Sequence, residues 1–476
     1  MVTSTGRERR RFLLWLGLFV PLIVGCEEPL IIPGGTEVVS VLLNPPSFPM
    51  AVGEVMRPDV LPRNAEGRVI VGGPVAWASS DSSVASVDSL GLVRGEWEGK
   101  AQITARIGSS VGSTDVTITP APASEWREHS CFVSLTGTIW CWGRGGNGEL
   151  GNGLRNSSPV PVRVQLDEPV ASVSAGATHS CGVTSSGAGY CWGRGAEGQL
   201  GNSSTATQVV PVKIEFGLSF RSLSAGGRHT CGITTSNETR CWGWAAFGQL
   251  GNDATVAVNT PIPLEGNMRF EQLSAGGRHT CGVVSGGQAY CWGDNRQGQL
   301  GDGTLTTRMV PTPVLTSLRF SSIAAGARHT CAVALDGRGW CWGDNRLGQH
   351  GNGTLTSSAT PQEILSSPDF SLVSVSAGGT HSCGIHVNSN AFCWGAGQFG
   401  QLGNGVTFLV AIPSPVALAS FIEVVAGAGH SCGVSADQRV LCWGLNAYGQ
   451  LGAGDFTDRS VANSVAADLL FGRSEG

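Results

Sequence analysis

The sequence predicts an all-β protein in which a small β-sandwich precedes a closed ring of seven β-sheet blades. Three observations lead to this fold class. The 476 residues include 70 Gly and 23 Pro but only 14% charged side chains, which is too poor in helix formers for a helical protein. Apolar and polar residues alternate between turn signals over residues 37–120. A pattern with a period near fifty residues then occurs seven times.

The charge balance argues against nucleic acid as a partner. The chain carries 30 basic and 35 acidic residues, a formal net charge of −5, and no basic block follows its first eleven positions. Binding to phosphate backbones depends on clustered Lys and Arg side chains. We therefore expect no nucleic-acid partner.

Residues 1–25 are typical of an export signal. Clustered arginines precede an apolar run that is too short and too interrupted for a membrane-spanning helix. The run ends in Ile23-Val24-Gly25-Cys26, which resembles the bacterial lipobox. That resemblance implies cleavage before Cys26 and diacylglycerol on its sulfur, with residues 26–36 as a linker behind the lipid anchor. An ordinary signal peptide that happens to contain a cysteine is the alternative.

The stretch from 37 to 120 has the strand spacing of a small β-sandwich. It contains Trp77, then Ser79-Ser80-Asp81, Val84-Ala85-Ser86-Val87-Asp88 and Gly99-Lys100-Ala101-Gln102-Ile103. These elements, in this order, resemble the bacterial Ig-like domain of group 2. We expect Trp77 to be the large core side chain of the sandwich. The resemblance implies a spacer module, as such domains usually are in surface proteins.

Seven units fill residues 121–476. Each contains a pair of cysteines, of which the second begins Cys-Trp-Gly, followed by Gly-Gln-Leu-Gly or a close variant. Units of short strands cannot bury two faces alone, so a closed ring of blades is the economical arrangement. The pairs are Cys131 and Cys141, Cys181 and Cys191, Cys231 and Cys241, Cys281 and Cys291, Cys331 and Cys341, Cys383 and Cys393, and Cys432 and Cys442.

These units closely resemble the repeats of the regulator-of-chromosome-condensation family. The resemblance implies a seven-bladed β-propeller over residues 121–476. The first unit lacks its leading strands, and the last unit stops soon after its Cys-Trp-Gly. We therefore expect one blade to be built from both ends of the propeller, which makes the stability of the ring depend on the last thirty residues or so.

The cysteine spacing predicts one disulfide per blade. The residue six positions after the first cysteine is glycine in four units and asparagine in a fifth, which favours a left-handed conformation there. A three-residue hairpin loop ending in such a residue places positions ten apart directly opposite, at a Cα separation of roughly 4.5–5.5 Å. A disulfide spans that distance. Two free buried cysteines are the alternative, and the export signal favours oxidation.

We interpret the histidine of each unit as structural rather than catalytic or metal-binding. The histidines lie one blade apart, so they do not form a tetrahedral ligand set, and we expect each imidazole to bond neighbouring backbone. The Cys-Trp-Gly tryptophans are expected to pack between blades. Asp294-Asn295-Arg296 and Asp344-Asn345-Arg346 lack the remaining ligands of a calcium loop. We predict no catalytic residue, no metal site and no cofactor.

The candidates for partner binding are residues that depart from the repeat. Arg228, Arg278 and Arg328 precede the histidine in three consecutive units and would form a basic arc for a carboxylate-rich partner. Solvated loop charges are the alternative. Trp244 and Phe247 follow Cys-Trp-Gly in the third unit, and aromatic anchors on an exposed rim are typical of interfaces. Phe247 has aromatic counterparts in two other units, so packing is its alternative.

Together these features predict a non-catalytic interaction module at the bacterial cell envelope. The lipid and the Ig-like spacer would present a monomeric propeller to a protein or glycan at the cell surface, with the lipid as its membrane contact. One alternative is inhibition of a cell-wall or β-lactam-processing enzyme, as in the bacterial propeller inhibitors of β-lactamase. Another is guanine-nucleotide exchange on a small GTPase, a partner that an exported lipoprotein would not meet.

A plant-type ultraviolet photoreceptor is disfavoured by its motif. That relative carries Trp before Arg-His-Thr, whereas Gly227, Gly277 and Ala327 occupy this position here.

Overall fold

The structure is a computed structural model. It describes residues 37–44, 46–51, 55–70, 73–82, 84–95, 99–119, 128–365, 370–467 and 469–471. The predicted export signal, Cys26 and the linker therefore lie outside the described residues. The chain divides into two compact units at residues 121 and 122, and each unit is described by itself. Within the described ranges, no helix is long and apolar enough to cross a membrane.

The N-terminal unit is composed of short strands. In chain order they are β1 (Ser40–Asn44), β2 (Ser47–Ala51), β3 (Val55–Met56), β4 (Asp59–Arg63), β5 (Ala76–Ser79), β6 (Ala85–Val87), β7 (Val93–Gly95), β8 (Gly99–Ile107) and β9 (Ser110–Thr119). One sheet has the order β2-β9-β8-β5, with β2 parallel to β9. The others pair β1 with β4 and β3 with β7 and β6.

Trp77 lies at the junction of two apolar clusters in this unit. One cluster contains Ile103 and Val116, and the other contains Leu43 and Ile107. Trp77 is half-buried and packs against both, which agrees with its predicted role as the large core side chain. Gly91 has a φ of +84° and lies directly against the indole, so a side chain at this position would collide with Trp77.

The C-terminal unit is composed of antiparallel hairpins in successive sheets. Its strands are β10 (His129–Val133), β11 (Ile139–Gly143), β12 (Ser158–Arg163), β13 (Val170–Ala175), β14 (His179–Thr184), β15 (Gly189–Gly193), β16 (Gln208–Lys213), β17 (Phe220–Ala225), β18 (His229–Thr234), β19 (Thr239–Gly243), β20 (Val258–Pro263), β21 (Gln272–Ala275), β22 (His279–Val283), β23 (Ala289–Gly293), β24 (Arg308–Pro313), β25 (Phe320–Ala325), β26 (His329–Ala334), β27 (Gly339–Gly343), β28 (Ser358–Glu363), β29 (Leu372–Ala377), β30 (His381–His386), β31 (Asn390–Gly395), β32 (Val410–Ala426), β33 (His430–Ser435), β34 (Val440–Gly444) and β35 (Arg459–Ser464). A short 3-10 helix covers Glu265–Asn267.

The sheets follow the repeats along the chain. Strands β13 to β28 form successive four-stranded sheets in chain order. The long strand β32 ends one repeat and begins the next, which joins β29 to β35 into one seven-stranded sheet.

The first sheet contains β10, β11 and β12, and the end of the chain adds to it. Phe471 forms a bridge with Ser134, in the way that Phe220 pairs with Thr234 two repeats later. The Leu135 N–H also donates to the Leu470 carbonyl at 3.1 Å. Both ends of the propeller thus contribute to one blade, as predicted.

In every repeat the two cysteines are opposite each other in a hairpin. In the first hairpin the Ser134 N–H donates to Thr138 O at 2.8 Å around a three-residue loop. The last loop residue has a positive φ in all seven repeats, from 63° at Asn237 to 88° at Gly187. The sulfur atoms of each pair lie 2.06–2.12 Å apart.

The Cα separations of the cysteines are 4.0–4.1 Å, shorter than the distance expected from the sequence. Hydrogen-bonded and non-hydrogen-bonded pairs alternate along an antiparallel hairpin. Counted from the bond between Ser134 and Thr138, Cys131 and Cys141 fall on a non-hydrogen-bonded pair. That is the more closely spaced class, which accounts for the short distance.

Buried histidines join each repeat to the next. Each Nε2 lies 2.6–2.9 Å from the hydroxyl that follows the histidine of the neighbouring repeat. The last histidine reaches back to the first repeat, so these hydrogen bonds close a ring of seven repeats. The pairs are His129 and Ser180, His179 and Thr230, His229 and Thr280, His279 and Thr330, His329 and Ser382, His381 and Ser431, and His430 and Ser130.

The hydroxyl partners determine which ring nitrogen of these histidines carries the proton. Thr230 donates its single proton to the Gln199 carbonyl at 2.8 Å, so it accepts from His179, whose Nε2 carries the proton. Burial lowers the pKa of His229 to about 3, so this imidazole is neutral near pH 7. The histidines thus have the predicted structural role. The partner of Nε2 is a hydroxyl of the next repeat rather than the backbone group that we expected.

The Cys-Trp-Gly tryptophans support the same junctions between repeats. Trp192 packs into the core of the preceding repeat with Cys131 and Cys141, which agrees with the predicted packing between blades. Its indole N–H donates to the Glu149 carbonyl at 2.9 Å, and the Ser180 hydroxyl donates to that carbonyl at 3.1 Å. One backbone carbonyl therefore accepts hydrogen bonds from two side chains of the next repeat.

Candidate binding surface

Two positions of each repeat meet where the hairpin strands end. The residue before each histidine lies beside the loop that follows Cys-Trp-Gly, because the Trp244 N–H donates to Arg228 O at 2.9 Å. The Asp294 N–H donates to Arg278 O at 3.0 Å in the same way. We use the name loop rim for the surface that these positions form: the residue before each histidine and the four residues after each Cys-Trp-Gly.

Arginine and aromatic side chains alternate along the loop rim of the third and fourth repeats. The guanidinium of Arg228 lies 5.3 Å from the centre of the Trp244 ring, and Arg278 lies 5.8 Å from that ring. Arg278 also lies 5.2 Å from Phe247, and Arg296 lies 4.7 Å from Phe247. Trp244 and Phe247 meet edge to face at 5.4 Å. We name these five side chains the cation–aromatic ladder.

The carboxylates of this region lie beneath the arginines. Asp294 accepts two hydrogen bonds from the guanidinium of Arg296, at 2.8 and 2.7 Å. The side chain of Asp294 is 6% exposed whereas that of Arg296 is 56% exposed. Burial acts to raise the pKa of Asp294, but the hydrogen bonds from Arg296 outweigh it and hold the pKa below its ordinary value. The acid is thus ionised and shielded, while the guanidinium faces solvent.

Asp344 and Arg346 repeat this arrangement in the fifth repeat. Their side chains are 9% and 60% exposed, with 2.8 Å between Oδ2 and Nη2. In the described part of the chain, no group of three or more acidic, histidine or cysteine side chains could hold a metal ion. The Asp-Asn-Arg segment of the fourth repeat stabilises its loop through hydrogen bonds, since Asn295 donates to the carbonyls of Thr304 and Thr306 at 3.0 Å.

The structure brings together four of the five side chains that the sequence singled out. Arg228, Arg278, Trp244 and Phe247 all belong to the ladder. Arg328 lies one repeat further on, is exposed and makes no ion pair with any residue that the structure describes. Trp244 and Phe247 are half-buried on the loop rim, because arginines lie over their rings.

Sequence reasoning missed Arg296 and the ion pair between Arg228 and Glu197, whose atoms lie 3.7 Å apart. Both contacts cross from one repeat to the next. The sequence could have indicated such contacts through equivalent positions in the repeats. Glu197 and Phe247 occupy the same position of the loop after Cys-Trp-Gly, and each contacts the residue before the histidine of the next repeat.

The loop rim changes character where the last repeat meets the first. There Arg144 pairs with Glu128 at 2.6 Å and lies 5.6 Å from the Tyr448 ring. In the first repeat the charge of Arg144 is thus neutralised by the partly buried Glu128. The loop rim has more arginines than carboxylates only in the third to fifth repeats.

The axis of the ring offers little room for a ligand. Successive Ala-Gly segments line it, including Ala225, Gly226 and Gly276, around a cavity of about 30 Å³. That volume holds about one water molecule. The axial cavity is therefore a poorer candidate for recognition than the loop rim.

The class of protein defined by this fold is a repeat propeller with a disulfide in each repeat, preceded in the chain by an Ig-like unit. The sequence profile of the RCC1-like domain matches residues 127–416, and that of the regulator of chromosome condensation (RCC1) repeat matches residues 421–450. The bacterial Ig-like domain (group 2) matches residues 53–119. Because the first match covers more than half of the chain, this protein belongs to the RCC1-like domain family. Both predicted family resemblances are confirmed.

Solved structures share the fold at low sequence identity. Human WBSCR16 is 20% identical with a TM-score of 0.64, and the match covers 69% of this chain and 94% of that one. Prp20p from Saccharomyces cerevisiae is 23% identical with a TM-score of 0.64, covering 71% and 88%. Yeast RCC1 bound to Kap60 is 21% identical with a TM-score of 0.63, covering 73% and 86%. A search of curated protein sequences found no match.

Proposed function

We propose that this protein is a non-catalytic interaction module that binds another protein through its loop rim. The cation–aromatic ladder carries this proposal, because arginine and tryptophan dominate the energetics of protein interfaces. One relative of the same fold has protein partners: Prp20p was studied for its binding to Gsp1p and histones, and the same protein, yeast RCC1 (Prp20), was solved with Kap60 bound to it.

The proposed location is the bacterial cell envelope, with Cys26 as a lipid anchor and the Ig-like unit as a spacer. The lipobox-like segment before Cys26 and the cysteine pairs support this location. Metabolic labelling with a fatty-acid analogue tests it. The wild type should take up the label and Cys26→Ala should not, and equal labelling of the two would rule out the anchor.

The experiment for binding is a capture from native envelope extract. The chain from residue 27 onward, immobilised through its N-terminus, should retain an envelope protein that survives washing and is depleted by excess free ectodomain. A matched Trp244→Ala column should retain less of it, provided that both columns melt at the same temperature. Retention of no envelope protein in repeated extracts would contradict the proposed function.

Inhibition of a cell-wall or β-lactam-processing enzyme is an outcome of the same capture experiment. A retained enzyme whose activity falls on binding would establish that alternative. Nucleotide exchange on a small GTPase is the third class, and the proposed export separates the protein from such a partner.

A further inference from the structure

We infer that the loop rim of the third to fifth repeats binds an acidic peptide segment that carries an apolar side chain. This inference rests on the proposed function and deepens it by naming the chemistry of the partner. The carboxylates of the segment would be received by the exposed arginines, and its apolar side chain would pack beside Trp244 and Phe247.

The local charge of this sector favours an acidic partner. Over the third to fifth repeats the loop rim has five arginines and two carboxylates, 5 − 2 = +3, on a chain with a formal charge of −5. In the other four repeats it has two arginines and two carboxylates, 2 − 2 = 0. The residues of the charged sector are Arg228, Arg278, Arg296, Arg328, Arg346, Asp294 and Asp344.

The arginines of this sector lie closer to solvent than its carboxylates do. Arg296 and Arg346 are 56% and 60% exposed, above acids that are 6% and 9% exposed. Arg328 is exposed as well. A partner approaching this sector therefore meets guanidinium groups before it meets carboxylates. Complementary charge of this kind selects and steers an acidic partner.

The geometry of the ladder suits the binding of carboxylates. A guanidinium that lies over an aromatic ring can still donate N–H groups to the two oxygens of a carboxylate. Arg278 lies over both Trp244 and Phe247, so both rings limit its motion. An arginine that is held in place loses less entropy when it binds.

The same stacking favours a peptide over a sugar or a nucleic acid. Glycans and bases commonly bind proteins by stacking on an aromatic face. Arg228 and Arg278 already lie over the Trp244 ring, at 5.3 and 5.8 Å, so such a ligand would have to displace a guanidinium. The negative charge of the whole chain also opposes long polyanions.

The test measures binding of a synthetic fluorescent peptide, in which four glutamates flank one phenylalanine. The full ectodomain is titrated into this peptide. Arg328→Glu should weaken binding by about tenfold, and the double change with Arg278→Glu should weaken it further. Raising the salt from about 50 to about 500 mM should also weaken binding. A peptide with lysines in place of glutamates should not bind.

Arg319→Glu is the matched control. It makes the same charge change beside the hairpin loop residue Gly287, at the opposite strand end from the loop rim. Trp244→Ala should raise the off-rate, whereas Trp244→Phe should restore much of the binding if the ring acts as an apolar contact. Thermal melting of every variant separates lost contacts from lost folding. Since Arg328 is exposed and outside the ladder, its variant should fold normally.

Some outcomes would overturn the inference. Equal peptide affinity for wild type and Arg328→Glu, or stronger binding by dextran sulfate than by the peptide, would do so. Capture of an envelope protein that is insensitive to both arginine changes would leave the proposed function intact and refute the acidic segment. Peptide binding at the rim without capture of any envelope protein would support the acidic segment and contradict the proposed function.

Discussion

Glu149 replaces a glutamine that the other six repeats have at the same position. Its side chain is fully buried, and one carboxylate oxygen accepts the Asn147 N–H at 2.6 Å. Burial raises the pKa of Glu149 from 4.5 to about 7, because the loss of water outweighs this bond and the attraction of Arg144. The folded protein holds the proton more tightly than the unfolded chain does. The stability from this proton is complete below pH 4.5 and is lost as the pH rises through 7.

Glu149→Gln should remove this loss. At pH 8 the variant should be more stable than the wild type by about 3 kcal/mol, with a much smaller difference near pH 5. Melting temperatures at the two pH values measure the effect. The matched change Gln299→Glu should introduce a similar alkaline loss in the fourth repeat. An equal gain for Glu149→Gln at both pH values would show that the carboxylate stays ionised.

His350 is a second departure from the repeat, since the other six repeats have leucine at this position. The side chain is fully buried, and burial lowers its pKa from 6.5 to about 4. Between these values the unfolded chain binds a proton that the folded protein does not. The stability is therefore complete above pH 6.5 and is lost as the pH falls toward 4.

His350→Leu should stabilise the protein, and more strongly in acid. The gain should be about 2 kcal/mol larger at pH 5 than at pH 8. Thermal melting of wild type and variant across that range measures it. Leu300→His in the neighbouring repeat is the converse control and should make that repeat sensitive to acid. A gain that does not vary with pH would mean that His350 acts through its shape alone.

Among the elements, the cysteine hairpin is the one that the sequence predicts most completely. Replacing both Cys331 and Cys341 by alanine should lower the free energy of unfolding by about 3 kcal/mol, because the bridge restricts the unfolded chain. The wild type should yield no alkylated thiol among its fourteen repeat cysteines before reduction and all fourteen afterwards. In reductant the wild type and the variant should melt alike. A difference that persists in reductant would assign the loss to packing.

The hairpin was predictable because its determinants are local. A spacing of ten residues and a left-handed loop residue, such as Gly137, fix which side chains oppose each other. The continuous strand β32 was not predictable, since Pro413 and Pro415 suggest a break between two strands. The structure keeps both segments extended, so one strand belongs to two repeats.

The candidate site was predictable in part. Comparison of repeats identified Arg228, Arg278 and Trp244, which depart from the pattern at their positions, together with Phe247 in the same loop as Trp244. It missed Arg296, whose contact with Phe247 crosses between repeats. The histidine partners were missed for the same reason: the sequence shows a hydroxyl after each histidine but does not show which repeat's imidazole reaches it.

At the scale of the whole molecule, the ring joins its repeats through neutral imidazoles. Burial lowers the pKa of His229, His329 and His381 from 6.5 to about 3, and that of His279 to about 4. Each contributes stability that is complete above pH 6.5 and is lost as the pH falls toward these values. Glu149 has the opposite pH dependence, because its contribution to stability is lost as the pH rises. Since the histidines outnumber this one carboxyl, the stability of the ring should fall more in acid than in alkali.

Closure of the ring depends on the bond between His430 and Ser130, and a matched pair of variants tests it. Ser130 and Ser431 both follow a ring histidine, and they lie 2.9 and 2.7 Å from the Nε2 atoms of His430 and His381. Both also donate to a glutamine carbonyl, at 3.3 and 2.9 Å. Removing either hydroxyl leaves a buried N–H without its acceptor, which costs about 1–3 kcal/mol.

In a closed ring the two junctions are equivalent, so Ser130→Ala and Ser431→Ala should lower the melting temperature by similar amounts. In an arc that is open between the last and first repeats, His430 would already face water, and Ser130→Ala would change nothing. Differential scanning calorimetry of the two variants and the wild type distinguishes these cases. A silent Ser130→Ala beside a destabilised Ser431→Ala would place an open seam between β33 and β10, and closure by the chain ends would then be wrong.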